Sequence, residues 1–342
     1  MPPRLQTGGR VTSVHPLWAI EGGRLTVEGD GFALDGGVPQ VRIGTQPARL
    51  AAATSTRLSV VVPSGLEGGQ MAVRVDEVPG ETALVEIGAP LVNGVHHVDS
   101  PAYDRHGNLY VTFSGSRGQQ APVAIFVVRP DGTREPFVTD LPNPTSLAFD
   151  REGRLYVSSR FDGSVYRIEA DGRASIHATD LGVACGLAFG PDGLLYVGDR
   201  SGSVLRVESD GRAHPFATLP PSIAAFHLAF GPDAHLYVTG PTLNTQDRIY
   251  RISPDGEVAP WGVPYGRPQG LAFDASGHLY VVDALAGASG LYRVRLDAPD
   301  TPELMLEGGS LIGLAFDPHG GIALAATETV YRLSVGVRGL LP

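Results

Sequence analysis

From residue 96 to the C-terminus the hydrophobic and polar positions repeat one phrase: a short apolar strand ending in an aromatic, a tight polar turn, then a second apolar strand. The six copies read SPAYDRHGNLYV, SLAFDREGRLYV, GLAFGPDGLLYV, HLAFGPDAHLYV, GLAFDASGHLYV and GLAFDPHGGIAL. Their aromatic anchors are Tyr103, Phe149, Phe189, Phe230, Phe273 and Phe316. They recur every 40 to 46 residues, the length of one four-stranded propeller blade. In the third copy, Gly186 to Phe189 predicts an innermost strand and Leu195 to Gly198 a second. Ser203 to Val207 alternates with period two and predicts a third, followed by an outer strand around His214 to Ala217. Gly190-Pro191-Asp192-Gly193 and Ser209-Asp210-Gly211 make the hairpin turns, because Pro presets φ and Gly accepts a positive φ.

The last copy is one strand short, since only Gly336 to Pro342 follow its third strand. An open sheet edge invites aggregation. Thr82 to Ile87 or the adjoining Ala89 to Val92 is therefore expected to supply the missing outer strand. The prediction is an all-β chain whose residues 89–342 form a six-bladed propeller closed by the strand that follows an N-terminal domain.

Residues 10–88 lack the repeat, and residues 1–9 read as a tail. Val11 to Val14, Arg24 to Glu28, Val41 to Ile43, Arg57 to Val62, Met71 to Val75 and Leu84 to Ile87 alternate and are broken by Gly and Pro. Short strands with turn signals every 8 to 12 residues predict an immunoglobulin-like sandwich. The strings VTSVHPLWAIEGGRLTVEGDGF, VRIGTQPARL and LSVVVPSG resemble the IPT/TIG domain, through Pro16, Gly22-Gly23, Gly29, Gly31-Phe32 and Pro63. The resemblance implies a docking or spacing module with a protein partner, not chemistry.

Composition narrows the picture. The chain has 342 residues, 45 Gly and 28 Pro, enough for two cores and suited to many turns. The formal charge is −10 without a basic run, which argues against nucleic acid. No stretch approaches the length of a membrane span and no export signal is seen. A soluble, cytoplasmic protein is the expectation; a leader missing from the sequence would make it extracellular or periplasmic. The single cysteine, Cys185, excludes an internal disulfide and reads as a small core residue or a pocket-lining thiol. All 26 basic residues are arginine, so lysine chemistry is excluded and any cationic pocket is suited to carboxylate or phosphate.

In a propeller, the turns between first and second strands emerge on one face, and here they are uniform Asp/Gly/Pro turns. The opposite face receives the segments before the inner strands and the loops after the second strands, which differ from blade to blade. There His97 and His227 are candidate general bases, and Arg117, Asn143, Arg160, Arg200, Arg267 and Gln269 candidate ligand-binding groups. The two histidines fall on opposite blades of a six-blade ring. Asp162, Asp199 and Asp283 read equally well as turn residues that accept backbone amides.

The phrase Pro-x-Gly-Leu-Ala-Phe-Asp-x-x-Gly-x-Leu-Tyr-Val-x-Asp, as at Pro268 to Asp283, resembles NHL-repeat proteins and the senescence-marker/gluconolactonase-like six-bladed propellers. With the N-terminal domain it is similar to a bacterial gluconolactonase-like group. The resemblance implies a hydrolase of lactones or of similar small polar or anionic substrates, with a divalent cation such as calcium or zinc that polarises the lactone carbonyl. The lactonase ligand positions fall on Asp99, Thr145, Cys185, Phe226, Gln269 and Ile312, of which Asp99 alone is a good hard-cation ligand. Asp99 with Asn143, Asp199 and Asp283 would make a rebuilt site; no cofactor is the favoured expectation. The alternatives are a non-catalytic propeller that binds a ligand or a protein, and a propeller lyase.

Overall fold

The computed structural model describes residues 9–34, 37–76, 78, 83–94, 100–114, 121–284 and 289–340. Among these every regular element is a strand.

The first eight strands build the sandwich. The six strands expected there are present, each within a residue or two of its expected ends. Trp18–Ala19 and Gln46–Ala53 are additional. Gln46–Ala53 pairs at its start with Val41–Ile43 and at its end with Arg57–Val61, so it joins the two layers, with an irregularity between Leu50 and Ala52. Its run of alanines hid it, because an alanine-rich segment carries little alternation in size or polarity. The inward positions, Leu25, Val27, Val41, Ile43, Leu58, Val60, Val73, Val85 and Ile87, form one buried cluster.

The remainder takes a β-propeller arrangement. Five four-stranded antiparallel sheets stand alone, their inner strands beginning at Ala102, Pro144, Ala184, His227 and Leu311. Six separate blades are expected from the repeat. Instead the four strands from Pro268 to Glu307 keep the same order but are continuous with the sandwich, through the pairing of Glu307 with Arg24. The inner strands of all these units neighbour one another in a closed cycle. Of the two candidates for the missing outer strand, Ala89–Asn93 pairs antiparallel with Thr329–Ser334, while Ala83–Ile87 stays in the sandwich beside Gly69–Val75.

Neighbouring units lock through the repeated aromatics. The second-strand tyrosine of one unit meets the inner-strand phenylalanine of the next edge-on: Tyr110 with Phe149, Tyr156 with Phe189, Tyr196 with Phe230, Tyr237 with Phe273 and Tyr280 with Phe316, at 4.9–5.3 Å between ring centroids. Such contacts add about 0.5–1.5 kcal/mol each beyond the area they bury. The outer strand backs four of these tyrosines with Phe137, His177, Phe216 or Trp261. Behind Tyr280 the backing ring is Trp18 of the sandwich, stacked at 6.4 Å and 9°. Ile20, 2% exposed, enters the same cluster with Leu291, Leu306, Leu311 and Leu333.

Candidate ligand site in the central channel

Because the inner strands run along the channel, equivalent residues of the repeat form rings around it. From the turn face inward the first ring is Tyr103, Phe149, Phe189, Phe230, Phe273 and Phe316. Next comes a girdle of Leu147, Leu187, Leu228, Leu271 and Leu314, completed by Pro101. Beyond the girdle lie Ser100, Ser146, His227 and Gly270. The girdle separates a funnel of about 1040 Å³, open on the turn face, from a polar chamber of about 100 Å³. The aromatic walls are pre-set, since five of the six rings are held edge-on by the tyrosine of the preceding unit.

His227 opens its strand and is 3% exposed. Its Nδ1 lies 3.1 Å from the Ser100 hydroxyl, while Nε2 makes no hydrogen bond among the described residues. Burial pushes its pKa down to about 4; the nearby Gln269 amide works weakly in the other direction. At neutral pH the imidazole is therefore uncharged, able to offer a lone pair or an N–H to a neutral polar group.

Of the residues singled out from the sequence, His97, Asp99 and Arg117 lie outside the described residues. His227 and Gln269 come together at the chamber. The others pair with loops of their own or a neighbouring blade. Asn143, buried at φ 40°, donates its side-chain amide to the Ser114 carbonyl and its backbone carbonyl accepts the Arg160 N–H at 3.3 Å. Asp199 accepts the Val183 N–H at 2.7 Å and both the N–H and hydroxyl of Ser201. Asp283 accepts the Gly266 and Arg267 N–H groups at 2.8 and 2.7 Å. The Arg200 guanidinium reaches the Ser222 and Ile223 carbonyls at 3.2 and 2.5 Å. These groups tie the loop after each second strand to the segment before an inner strand.

The described residues do not fit a hard divalent cation. No group of three or more His, Cys, Asp or Glu is placed to hold an ion among them. Asp199 already accepts two backbone amides and the Ser201 hydroxyl and Asp283 two backbone amides, and the lactonase positions carry Thr145, Cys185, Phe226, Gln269 and Ile312.

The funnel is not apparent along the sequence. Its walls are the repeat itself, and identical residues that recur in every blade read as structure. The signal was nevertheless present: a residue repeated at one place on every innermost strand faces a common axis. Also missed were Arg105, Arg151 and Arg338 on the funnel's lining, the first two inside turns that look generic.

The IPT/TIG domain family matches residues 10–85. A search of curated proteins found no match. Among solved structures the chain is similar to an auxiliary nutrient binding protein from Bacteroides thetaiotaomicron, at 14% identity and TM-score 0.57, covering 97% of this chain and 98% of that one. A gluconolactonase from Xanthomonas campestris aligns at 19% identity and TM-score 0.60, over 72% of this chain and 88% of its own. Virginiamycin B lyase from Staphylococcus aureus aligns at 15% identity and TM-score 0.52, over 70% and 86%. At these identities the likeness shows the fold: an IPT/TIG domain joined to a β-propeller.

Proposed function

We propose that this protein is a non-catalytic, ligand-binding, six-bladed propeller whose small-molecule site is the turn-face funnel. The sixth blade in this reading is the Pro268 to Glu307 unit, whose inner strand completes the closed cycle although its outer strand also meets the sandwich. The observation that carries the binding reading is the funnel of about 1040 Å³ with pre-set aromatic walls and a leucine floor, the size and character of a pocket for a drug-sized ligand. Two further points support it. A similarity that spans both domains is to a protein named for nutrient binding, whereas the gluconolactonase and lyase align over about 70% of the chain. In addition, His227 with a pKa of about 4 is a weak general base at neutral pH.

A second reading, a hydrolase or lyase with His227 as base, rests on the buried imidazole whose Nε2 is unpaired among the described residues. Asp99, Arg117 and His97 belong to that reading, with Arg160 and Arg200 as anion stabilisers.

Ala229 lines the funnel and is half-buried. Ligand-observed NMR with a small-molecule library is expected to give hits on the wild type that Ala229→Phe loses at least tenfold in affinity, with circular dichroism confirming that the variant, whose new ring presses on the Tyr237 and Phe273 cluster, is folded. Hits unaffected by the filling residue would place binding elsewhere. Turnover of a lactone that disappears in His227→Gln would replace the binding reading by the hydrolase.

A further inference from the structure

We infer that the funnel takes an organic anion with an apolar, preferably aromatic, body and a carboxylate or similar group held at the rim. This rests on the funnel being the ligand site and adds the class of ligand. Four carboxylates line the funnel with Arg105, Arg151, Arg154 and Arg338. Asp150 and Glu152 are both bound to Arg154, at 2.5 and 2.8 Å. Glu169 is bound to Arg167 at 2.7 Å. Asp104 accepts the backbone N–H groups of His106 and Asn108 and the Asn108 side-chain amide, at 2.7–2.9 Å. What remains are Arg105, Arg151 and Arg338.

None of these three has a carboxylate partner among the described residues. Arg105 and Arg151 instead lean along the rim onto backbone: Arg105 donates to the Arg151 carbonyl, and Arg151 donates to the Pro191 carbonyl at 3.0 Å. Arg338 arrives from the C-terminal segment, which is pinned across the same face by the Ala275 N–H on the Arg338 carbonyl and the Leu340 N–H on the Phe273 carbonyl, at 2.8 and 2.9 Å. Four guanidinium groups and four carboxylates line the funnel, so it is about neutral in a protein of formal charge −10, and three of its guanidinium groups have no carboxylate partner among the described residues while every lining carboxylate is engaged. Guanidinium pairs bidentately with carboxylate and stacks on aromatic faces. Below the rim only aromatic and aliphatic walls meet the rest of the ligand. Apolar burial then supplies affinity and the rim supplies selection by charge.

The test uses three probes that share one ring system: 2-naphthoate, 2-naphthylmethanol and 2-naphthylmethylammonium, titrated calorimetrically into the full-length protein at low and at 0.5 M salt. The naphthoate is expected to bind at least tenfold more tightly than the alcohol and the ammonium more weakly than either. Salt should narrow these differences. The variant Arg105→Gln/Arg151→Gln/Arg338→Gln is expected to remove the preference for naphthoate while leaving the alcohol's affinity within twofold, which also shows that the variant is folded. Equal binding of the acid and the alcohol, or a preference that survives in the variant, overturns the anion assignment and leaves the funnel as a neutral site. Failure of all three probes overturns the assignment and the funnel reading together. Ala229→Phe separates the cases, since binding that persists in it is not in the funnel.

Discussion

Residue by residue, the polar groups near the channel divide into those that hold loops and those that are free to meet a ligand. Asp199 and Asp283 look like ligands in the sequence because they recur at the end of a second strand. In the fold their oxygens already accept two or more donors each, and removing such an acceptor typically costs about 1–3 kcal/mol. His227 is the opposite case, a fully buried group with one nitrogen unpaired among the described residues. Its pKa is about 4 in the fold against an ordinary 6.5, so between those values the unfolded chain binds the extra proton. Its contribution to stability is complete above about pH 6.5 and is lost as pH falls toward 4, by on the order of 3 kcal/mol. Urea denaturation at pH 7 and pH 4.5 is expected to show the wild type losing more stability than His227→Gln. Equal losses would mean that the imidazole is hydrated and titrates normally.

At the scale of elements, the repeated hairpins set how closely blades approach. Gly211 closes an outer hairpin at φ +87°, and a Cβ there would collide with the His177 carbonyl of the preceding blade. Gly172 and Gly256 stand in the same relation to Phe137 and Phe216. Positive φ and the carbonyl contact act together, so Gly211→Ala is expected to cost about 2 kcal/mol or more, measured by chemical denaturation. At Gly193, with φ +80° and no atom within 4 Å of where a Cβ would stand, alanine meets only the backbone term and should cost about 1 kcal/mol. Similar losses at both positions would show that the blade contact is unimportant. The hairpins themselves were legible, because alternation and Asp-Gly turns are local properties. The close approach was not, because it depends on the blade before.

For the whole molecule the decisive feature is the seam between the domains. Trp18 takes behind Tyr280 the place that an outer-strand aromatic takes in four other units, and Ile20 is buried among propeller leucines. The Glu86 carboxylate accepts the Ser334 N–H at 3.1 Å, and Arg24 faces Glu307 at 3.7 Å. The sandwich is thus a packed part of the ring, and the two should unfold together. Ile20→Ala is expected to cost roughly 2–5 kcal/mol and to split one calorimetric transition into two. A single unshifted transition would show that the seam carries little energy.

By itself the sequence determined that the chain is all-β, that a sandwich precedes a propeller, and where most strands run, since these follow from periodicity, turn chemistry and a repeat, all readable within some forty residues. The tertiary structure alone decided three things: that one unit merges with the sandwich sheet, that the conspicuous aspartates accept loop amides and a hydroxyl, and that the repeated Leu and Phe positions enclose a funnel beneath arginines without carboxylate partners among the described residues. Each depends on distances between residues far apart in the chain. Burial and hydrogen-bond saturation are properties of neighbours in space, and a pattern along one strand does not encode which carbonyl or carboxylate the next blade will bring to it.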